Sequence, residues 1–213
     1  MTEICKRFRN WLRIMFLPFL DRNFFWLLLL IFVLAVIFIP HTIHKGDYGS
    51  FLNWTAQIRN HGLAYAYGEP TNNYFPVFNY LLYSLTWFFN SLQEIAANIY
   101  YLKIPLLAFD FGSLAVCAWL LKKLNRPRYY ALLILFNPAF FYNSWLWGQI
   151  ESIYIFFTLA AIASAVYKHP NWSVALYTLA FYSKLQAIVF LPGLLLLLAP
   201  QYFKKPRRLL ESL

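Results

Sequence analysis

The sequence contains few charged residues. Only 12% of its 213 residues are Asp, Glu, Lys or Arg, which is about half the charged fraction of a soluble globular protein. Apolar residues make up 61% of the chain and aromatic residues 22%. This composition excludes a water-soluble fold, and the many aromatic rings suit membrane interfaces, where one end of a ring is wet and the other apolar.

Cysteines and the motifs of soluble enzymes are also scarce. Two cysteines, Cys5 and Cys117, exclude a disulfide framework. The sequence has no Gly-rich phosphate loop and no Ser-His-Asp nucleophile elbow, so soluble nucleotide and hydrolase chemistry are unsupported. The net charge of +10 comes from short Lys and Arg clusters between apolar runs. We therefore expect no nucleic-acid partner, which would need basic residues along one face or groove.

Long apolar runs predict an all-α, polytopic integral membrane protein, because about 20 apolar residues span a bilayer as a helix. The predicted spans are residues 24–40, 104–121, 130–146, 150–166 and 172–202. The last run is too long for one span and too short for two of ordinary length. We expect it to form two foreshortened helices that meet at residues 183–186, which gives about six transmembrane helices in a single membrane domain, residues 1–213.

The distribution of Lys and Arg predicts the topology through the positive-inside rule. If residues 74–92 do not cross the bilayer, 14 of the 18 basic residues are cytoplasmic; if they cross, only 7 are. Both termini are then cytoplasmic, with residues 1–23 as an N-terminal cytoplasmic segment. Residues 41–100 form a large first outer loop with juxtamembrane helices, one of them an interfacial helix at residues 48–66.

Asp47 is the first candidate for chemistry. It lies seven residues after the first apolar run, in HKGDYGS, where a carboxylate at the membrane surface can act as a general base. The alternative is a structural role as the N-cap of the following helix. A metal site formed by His41, His44 and Asp47 lacks any recognised signature, so we expect no cofactor; a divalent metal is possible but unsupported.

Ionisable residues within or beside the apolar runs are the next candidates, since such groups are costly at membrane depth. Asp110 lies seven residues after Lys103, on the same helix face, and the two could form a purely structural pair. Lys184 lies between two apolar halves, where an ammonium suits a lipid phosphate; snorkelling to the surface is the alternative. Gln149 and Glu151 open a helix in WGQIES, where an early Glu can also serve only as a cap.

These motifs occur in an order that resembles the N-terminal membrane module of GT-C superfamily glycosyltransferases that use polyprenyl-phosphate sugars, such as mannosyltransferases and glucosyltransferases. The resemblance covers about residues 24–203. The motifs that support it are Asp47 followed by Phe51 and Trp54, Tyr74-Phe75-Pro76, KIPLLAFD from Lys103 to Asp110, NPAFFYNSWLWGQIES from Asn137 to Ser152, and LAFYSKLQAIVFLP from Leu179 to Pro192.

The resemblance implies roles at the matching positions. Asp47 matches the catalytic base, and Lys184, with Lys103 and Gln186, would bind the donor's lipid phosphate. The expected substrate cavity contains Tyr74, Asp110, Trp147, Gln149 and Glu151. Glu151 departs from the Asp common in such enzymes, and the chain is shorter than they are, which suggests a minimal enzyme, a fragment, or a subunit whose partner completes it.

The sequence thus predicts a glycosyltransferase that moves a sugar from a polyprenyl-phosphate donor to an acceptor at the outer or lumenal face. We expect it in a bacterial or archaeal plasma membrane rather than the endoplasmic reticulum. One alternative is a non-catalytic GT-C-like module that binds polyprenyl-phosphate lipid or scaffolds a partner. Another is a small transporter, for which the predicted break at Lys184 is the only support.

Overall fold

The structure, a computed structural model, describes residues 12–68 and 70–203. Within these residues it is helical and contains no β-strand. The α-helices are α1 (Leu17–Arg22), α2 (Phe24–Ile37), α3 (Lys45–His61), α4 (Pro76–Phe88), α5 (Leu92–Asn98), α6 (Lys103–Lys123), α7 (Pro138–Phe141), α8 (Glu151–Val166), α9 (Pro170–Ser183) and α10 (Leu191–Phe203). Short 3₁₀ segments cover Leu63–Tyr65, Ile99–Leu102, Arg128–Phe136 and Leu185–Phe190, and π-helical segments cover Leu12–Phe16 and Tyr142–Trp147.

Two helical stretches are long and apolar enough to cross a membrane, Leu92–Lys123 and Leu185–Phe203. A third candidate is the bent pair Ile14–Arg22 and Phe24–Ile37, whose halves differ in direction by 72°. Large apolar side chains such as Trp26 and Leu196 are exposed, as expected of a surface that faces lipid. The described residues therefore provide two or three helices able to span a membrane, and six spans are not shown.

The predicted span at residues 130–146 is not one continuous helix. It is divided into a 3₁₀ segment, the single turn α7 and a π-helical segment. The division has a local cause at Asn137 and Pro138. Proline has no N–H for the helix ladder, and the Asn137 side chain accepts a hydrogen bond from Ala139 N at 3.1 Å, which starts a new helix there.

The predicted break near Lys184 is confirmed. Helix α9 ends at Ser183, and Lys184 is extended, with φ −160° and ψ 135°. The chain then continues as the 3₁₀ segment Leu185–Phe190 and α10. Together these two elements reach the length of a span, so the half after the break is longer than predicted.

Helix α3 occupies most of the segment predicted as an interfacial helix. Its apolar residues Phe51, Trp54 and Ile58 recur at helical spacing and are nearly fully buried. They face protein, and the Phe51 ring lies 4.9 Å from that of Phe78 on α4. The amphipathic pattern therefore corresponds to an internal packing face between α3 and α4.

An ion pair joins α1 to the 3₁₀ segment that follows α6. Asp21 accepts a hydrogen bond from the Arg128 backbone N–H, and the Arg128 guanidinium lies 3.5 Å from its other oxygen. The predicted topology assigns both residues to the same side of the membrane. The contact agrees with that assignment without identifying the side.

The predicted topology can be tested by labelling single cysteines at two exposed positions, Asn60→Cys in the last turn of α3 and Leu124→Cys just after α6, in a variant without Cys5 and Cys117. One crossing, α6, separates the two positions if residues 74–92 stay on one side. A membrane-impermeant maleimide should therefore label Asn60→Cys in intact cells and Leu124→Cys only after lysis. Labelling of both in intact cells would contradict the topology.

Close packing between α6 and α8 gives a stability prediction at Gly112. A Cβ at this position would lie 2.8 Å from Cε2 of Phe156, so Gly112→Ala should lower the free energy of unfolding by about 1–3 kcal/mol through overpacking. Gly193→Ala in α10 is the matched control, because no atom lies within 4 Å of its Cβ position. Thermal unfolding in detergent measures the difference, and equal stability of the two variants would contradict it.

Candidate functional site

A tight turn before α8 orients two polar side chains. The π-helical segment ends at Gly148, whose φ of +86° is in the left-handed region that glycine adopts without steric cost. The carbonyl of Asn143 accepts hydrogen bonds from Gly148 N at 2.9 Å and from Gln149 N at 2.8 Å. This fixed turn lets Trp147 and Gln149, on either side of the glycine, reach the same carboxylate.

That carboxylate belongs to Asp47. Its Oδ2 accepts a hydrogen bond from Trp147 Nε1 at 2.5 Å and another from Gln149 Nε2 at 2.8 Å. The N-cap position of α3 is occupied by His44, without a side-chain cap bond. The alternative that Asp47 is an N-cap is therefore wrong; it lies in the first turn of α3, where the helix dipole still favours a negative charge.

The second oxygen of Asp47 remains available. Within the part of the chain that the structure describes, no donor lies within hydrogen-bond distance of Oδ1, and the Asp47 side chain is about a quarter exposed. His44 lies beside Asp47 and Trp147: its Nδ1 is 3.7 Å from Asp47 Oδ2, and its ring centroid is 4.5 Å from that of Trp147. The carboxylate is thus held through one oxygen and open at the other.

Tyr74 extends this hydrogen-bond chain. Its hydroxyl donates to Gln149 Oε1 at 3.3 Å, and its ring packs among those of Phe51, Trp54 and Phe78. Burial, reinforced by the negative charges of Asp47 and Glu151, raises the pKa of Tyr74 to about 12. The hydroxyl therefore stays protonated and remains a donor that orients Gln149.

Lys184 forms an ion pair with Glu151 at the other end of the site. Its Nζ donates to Glu151 Oε1 and lies 5.7 Å from the centroid of the Tyr74 ring. The extended conformation at the break after α9 brings this side chain to the first turn of α8. An ammonium has three donors, so the pair with Glu151 leaves donors for another anion. We call these six residues the Asp47 network: Asp47, Tyr74, Trp147, Gln149, Glu151 and Lys184.

Three other predicted site residues lie outside this network. Lys103 is fully buried, and its Nζ donates to the carbonyl of Pro40 at 3.1 Å. Gln186 is exposed within the 3₁₀ segment after the break. Asp110 does not form an ion pair with Lys103; it lines a cavity on the other side of Glu151. The predicted structural pair of Lys103 and Asp110 is therefore not formed.

The three residues considered for a metal site, His41, His44 and Asp47, do not form one group. The His41 ring stacks on Tyr100 with centroids 4.3 Å apart, whereas the His44 ring lies tilted against that of Trp147 and near Asp47. No group of three His, Cys, Asp or Glu side chains able to hold a metal ion occurs among residues 12–68 and 70–203.

Several polar residues near the site are not predicted from the sequence. The sequence assigns His44 no role beyond a possible metal ligand and assigns none to Asn143, Ser144 and Ser152, although these last three line the cavity beside Asp110. Their position is the signal that identifies them, since polar side chains are unexpected within the apolar runs 130–146 and 150–166.

Comparison of the chain with protein-family models, with curated proteins and with solved structures finds no match.

The raised pKa of Tyr74 predicts that the Tyr74 hydroxyl keeps its proton at pH 11, where a tyrosine of ordinary pKa is largely ionised. Because the neutral form is favoured by the fold, the associated stability is present below pH 10 and is lost as the pH rises through about 12. The absorbance at 295 nm at pH 11 should thus be the same in wild type and Tyr74→Phe while both are folded. After denaturation, wild type should gain one more ionised tyrosine than the variant; a difference of one tyrosine already present in the folded proteins would contradict the assignment.

Proposed function

We propose that this chain is a membrane glycosyltransferase, or the GT-C-like part of one, that transfers a sugar from a polyprenyl-phosphate donor to an acceptor hydroxyl. Asp47 would be the general base, and Lys184 would stabilise the departing lipid phosphate. The observation that supports the proposal best is the Asp47 carboxylate, fixed at Oδ2 by Trp147 and Gln149 and open at Oδ1.

The geometry of Asp47 suits proton abstraction. A general base needs a fixed orientation and an accessible oxygen within hydrogen-bond reach of the proton that it removes. Two donors fix Oδ2, and the partly exposed side chain leaves Oδ1 able to approach an acceptor hydroxyl. Gln149 is itself held by Tyr74, so the orientation of the base depends on residues from three separate parts of the chain.

The surroundings of Lys184 suit an anionic leaving group. Stabilisation of developing charge is most effective when the cation is already in place and partly shielded from water. Lys184 is largely buried and held by Glu151 and the Tyr74 ring. The helices that can cross a membrane provide a setting in which a lipid-linked donor can reach this ammonium from the bilayer.

Replacement of Asp47 by Asn tests the base. The variant keeps the size of the side chain but cannot accept a proton, so sugar transfer should fall by a factor on the order of 10² to 10⁴. The matched control is Asp21→Asn, which alters a carboxylate that bonds Arg128 outside the network. The assay follows transfer from a polyprenyl-phosphate sugar in nanodiscs, with this chain alone and with any protein that co-purifies.

Two outcomes would contradict this assignment. Transfer that survives in Asp47→Asn at the level of Asp21→Asn would exclude Asp47 as the base. No transfer by the wild-type protein, alone or with a partner, would exclude the enzyme. Lipid binding and thermal stability of Asp47→Asn are measured in parallel, because both should stay close to wild type if the loss is catalytic.

Replacement of Lys184 by Met tests the phosphate site. A hydrogen bond to a charged group contributes about 1.5–3 kcal/mol, so Lys184→Met should bind a polyprenyl phosphate about 10- to 100-fold more weakly than wild type. The affinity of Lys184→Arg should fall between those of wild type and Lys184→Met, because the planar guanidinium differs in shape from an ammonium. Lys123→Met is the matched control, since Lys123 also lies over a tyrosine ring, at 5.1 Å from the Tyr167 centroid.

The Lys184 variant leaves Glu151 without its cation, which can destabilise the fold by itself. The double variant Lys184→Met with Glu151→Gln removes both charges and separates this effect from binding. Unchanged affinity for polyprenyl phosphate in the folded double variant would show that Lys184 is not the phosphate ligand.

The non-catalytic module is the second candidate. The observation that favours it is that Lys184 is already paired with Glu151, so the charge of the ammonium is balanced without a substrate. Polyprenyl-phosphate binding that depends on Lys184, without sugar transfer under any condition, would support this alternative.

A further inference from the structure

A polar cavity of about 230 Å³ lies beside the Asp47 network. Its walls come from α6, from the segment around α7 and from the first turns of α8, and its polar residues include Asp110, Asn143, Ser144, Glu151 and Ser152. At about 30 Å³ per water molecule, the space holds roughly seven waters. We call it the Asp110 cavity.

Buried oxygens of three residues that line this cavity lack hydrogen-bond partners: Asp110 Oδ2, Glu151 Oε2 and Ser152 Oγ. Asp110 is 7% exposed and Ser152 only 1%. A buried polar atom without a partner is costly, and such atoms are rare enough to need an explanation. Three such atoms on residues around one cavity suit a ligand that supplies the missing hydrogen bonds.

The unpartnered atoms define the chemistry of that ligand. An ionised carboxylate accepts hydrogen bonds, and a protonated carboxyl can also donate one. Asp110 Oδ2 and Glu151 Oε2 therefore suit a partner that both donates and accepts, as the Ser152 hydroxyl does. Glu151 is already paired with Lys184 through Oε1, whereas Asp110 takes part in no salt bridge among the described residues. Among the described residues no third acidic, His or Cys side chain joins this pair to complete a metal site. These features favour a ligand with several hydroxyl groups over a divalent cation.

Most of the other lining residues are apolar, among them Leu114, Phe140, Ile155 and Leu159. A pocket with mainly apolar walls and a few fixed polar groups is typical of a small-molecule site. A sugar ring combines hydroxyl donors at its edge with carbon–hydrogen faces that pack on apolar side chains. We propose that the Asp110 cavity binds one sugar ring through Asp110, Glu151 and Ser152, which deepens the proposed transferase and rests on it for the source of that sugar, the donor or a glycan acceptor.

The test is binding of methyl α-D-mannopyranoside and methyl α-D-glucopyranoside to the full-length protein in nanodiscs, measured by saturation-transfer NMR titration. Ser152→Ala and Asp110→Asn should each weaken binding of at least one glycoside by about 3- to 10-fold, since each variant alters one hydrogen-bonding group of the cavity. Thr158→Val is the matched control. Thr158 lies on the same helix, and its buried hydroxyl also lacks a partner, but it does not line the cavity.

Thermal unfolding identifies any variant that does not fold. If Asp110→Asn does not fold, Ser152→Ala, which removes a single oxygen atom, still tests the proposal. Three results would overturn the proposal: no saturable binding of either glycoside, binding that the cavity variants leave unchanged, or a cavity that binds only Na⁺ or K⁺ in titrations at constant ionic strength. Weakening by Thr158→Val equal to that by Ser152→Ala would overturn it as well.

The same variants separate this proposal from the proposed function. If Asp47→Asn binds glycoside normally but transfers nothing, the transferase and the cavity are both supported. If glycoside binding depends on Ser152 but wild type never transfers sugar, the transferase fails and the sugar site remains. If the wild-type protein is active, the KM values of Ser152→Ala identify which sugar the cavity binds. A raised KM for the donor indicates the donor sugar, and a raised KM for the acceptor indicates the acceptor. Unchanged KM values would exclude the cavity from the reaction.

Discussion

The site is held together by the Asp47 carboxylate, which accepts hydrogen bonds from two side chains. Trp147 and Gln149 come from one turn about a hundred residues along the chain from Asp47, so these two bonds attach the start of α3 to the start of α8. Hydrogen bonds to an ionised acceptor are roughly twice as strong as neutral ones. If the carboxylate turned away, the Trp147 and Gln149 donors would lose their partner and Tyr74 would lose a fixed acceptor.

The Asp47 network also shows how a chain with few charges uses them. The chain has eight carboxylate side chains among 213 mostly apolar residues, and two of the eight, Asp47 and Glu151, lie in this network. Glu151 offsets the desolvation of Lys184 by pairing with it, whereas Asp47 accepts hydrogen bonds from the uncharged Trp147 and Gln149 side chains, with His44 Nδ1 3.7 Å away. The carboxylate with the open Oδ1 therefore has no Lys or Arg partner among the described residues.

Local patterns predicted the break at Lys184 and the helical class, because a cation and polar residues between two apolar halves cannot continue a membrane helix without cost. The helix bounds differ from those predicted, and the six predicted spans are not shown, since two or three helices among the described residues are able to span a membrane. Pro138 and the cap at Asn137 divide a run that hydropathy alone treats as uniform, and the apolar face of α3 packs on α4 although the same pattern suits a membrane surface. Periodicity identifies an apolar face but not what covers it. Likewise, sequence spacing placed Lys103 and Asp110 on one helix face, but the Lys103 ammonium bonds Pro40.

Glu151 belongs to both parts of the proposed site, the ion pair with Lys184 and the lining of the Asp110 cavity. Its Oε1 bonds the Lys184 ammonium, its Oε2 lacks a partner, and the residue also lines the Asp110 cavity. The two oxygens belong to one planar, delocalised group, so a change at one is felt at the other. A phosphate that shares the Lys184 ammonium weakens the pair and leaves more negative charge on Oε2, which strengthens its hydrogen bond to a hydroxyl in the cavity. Under the proposed function, an arriving lipid phosphate and a bound sugar would therefore reinforce each other's binding through this single side chain, which gives the Glu at this position a role that an isolated helix cap would not have.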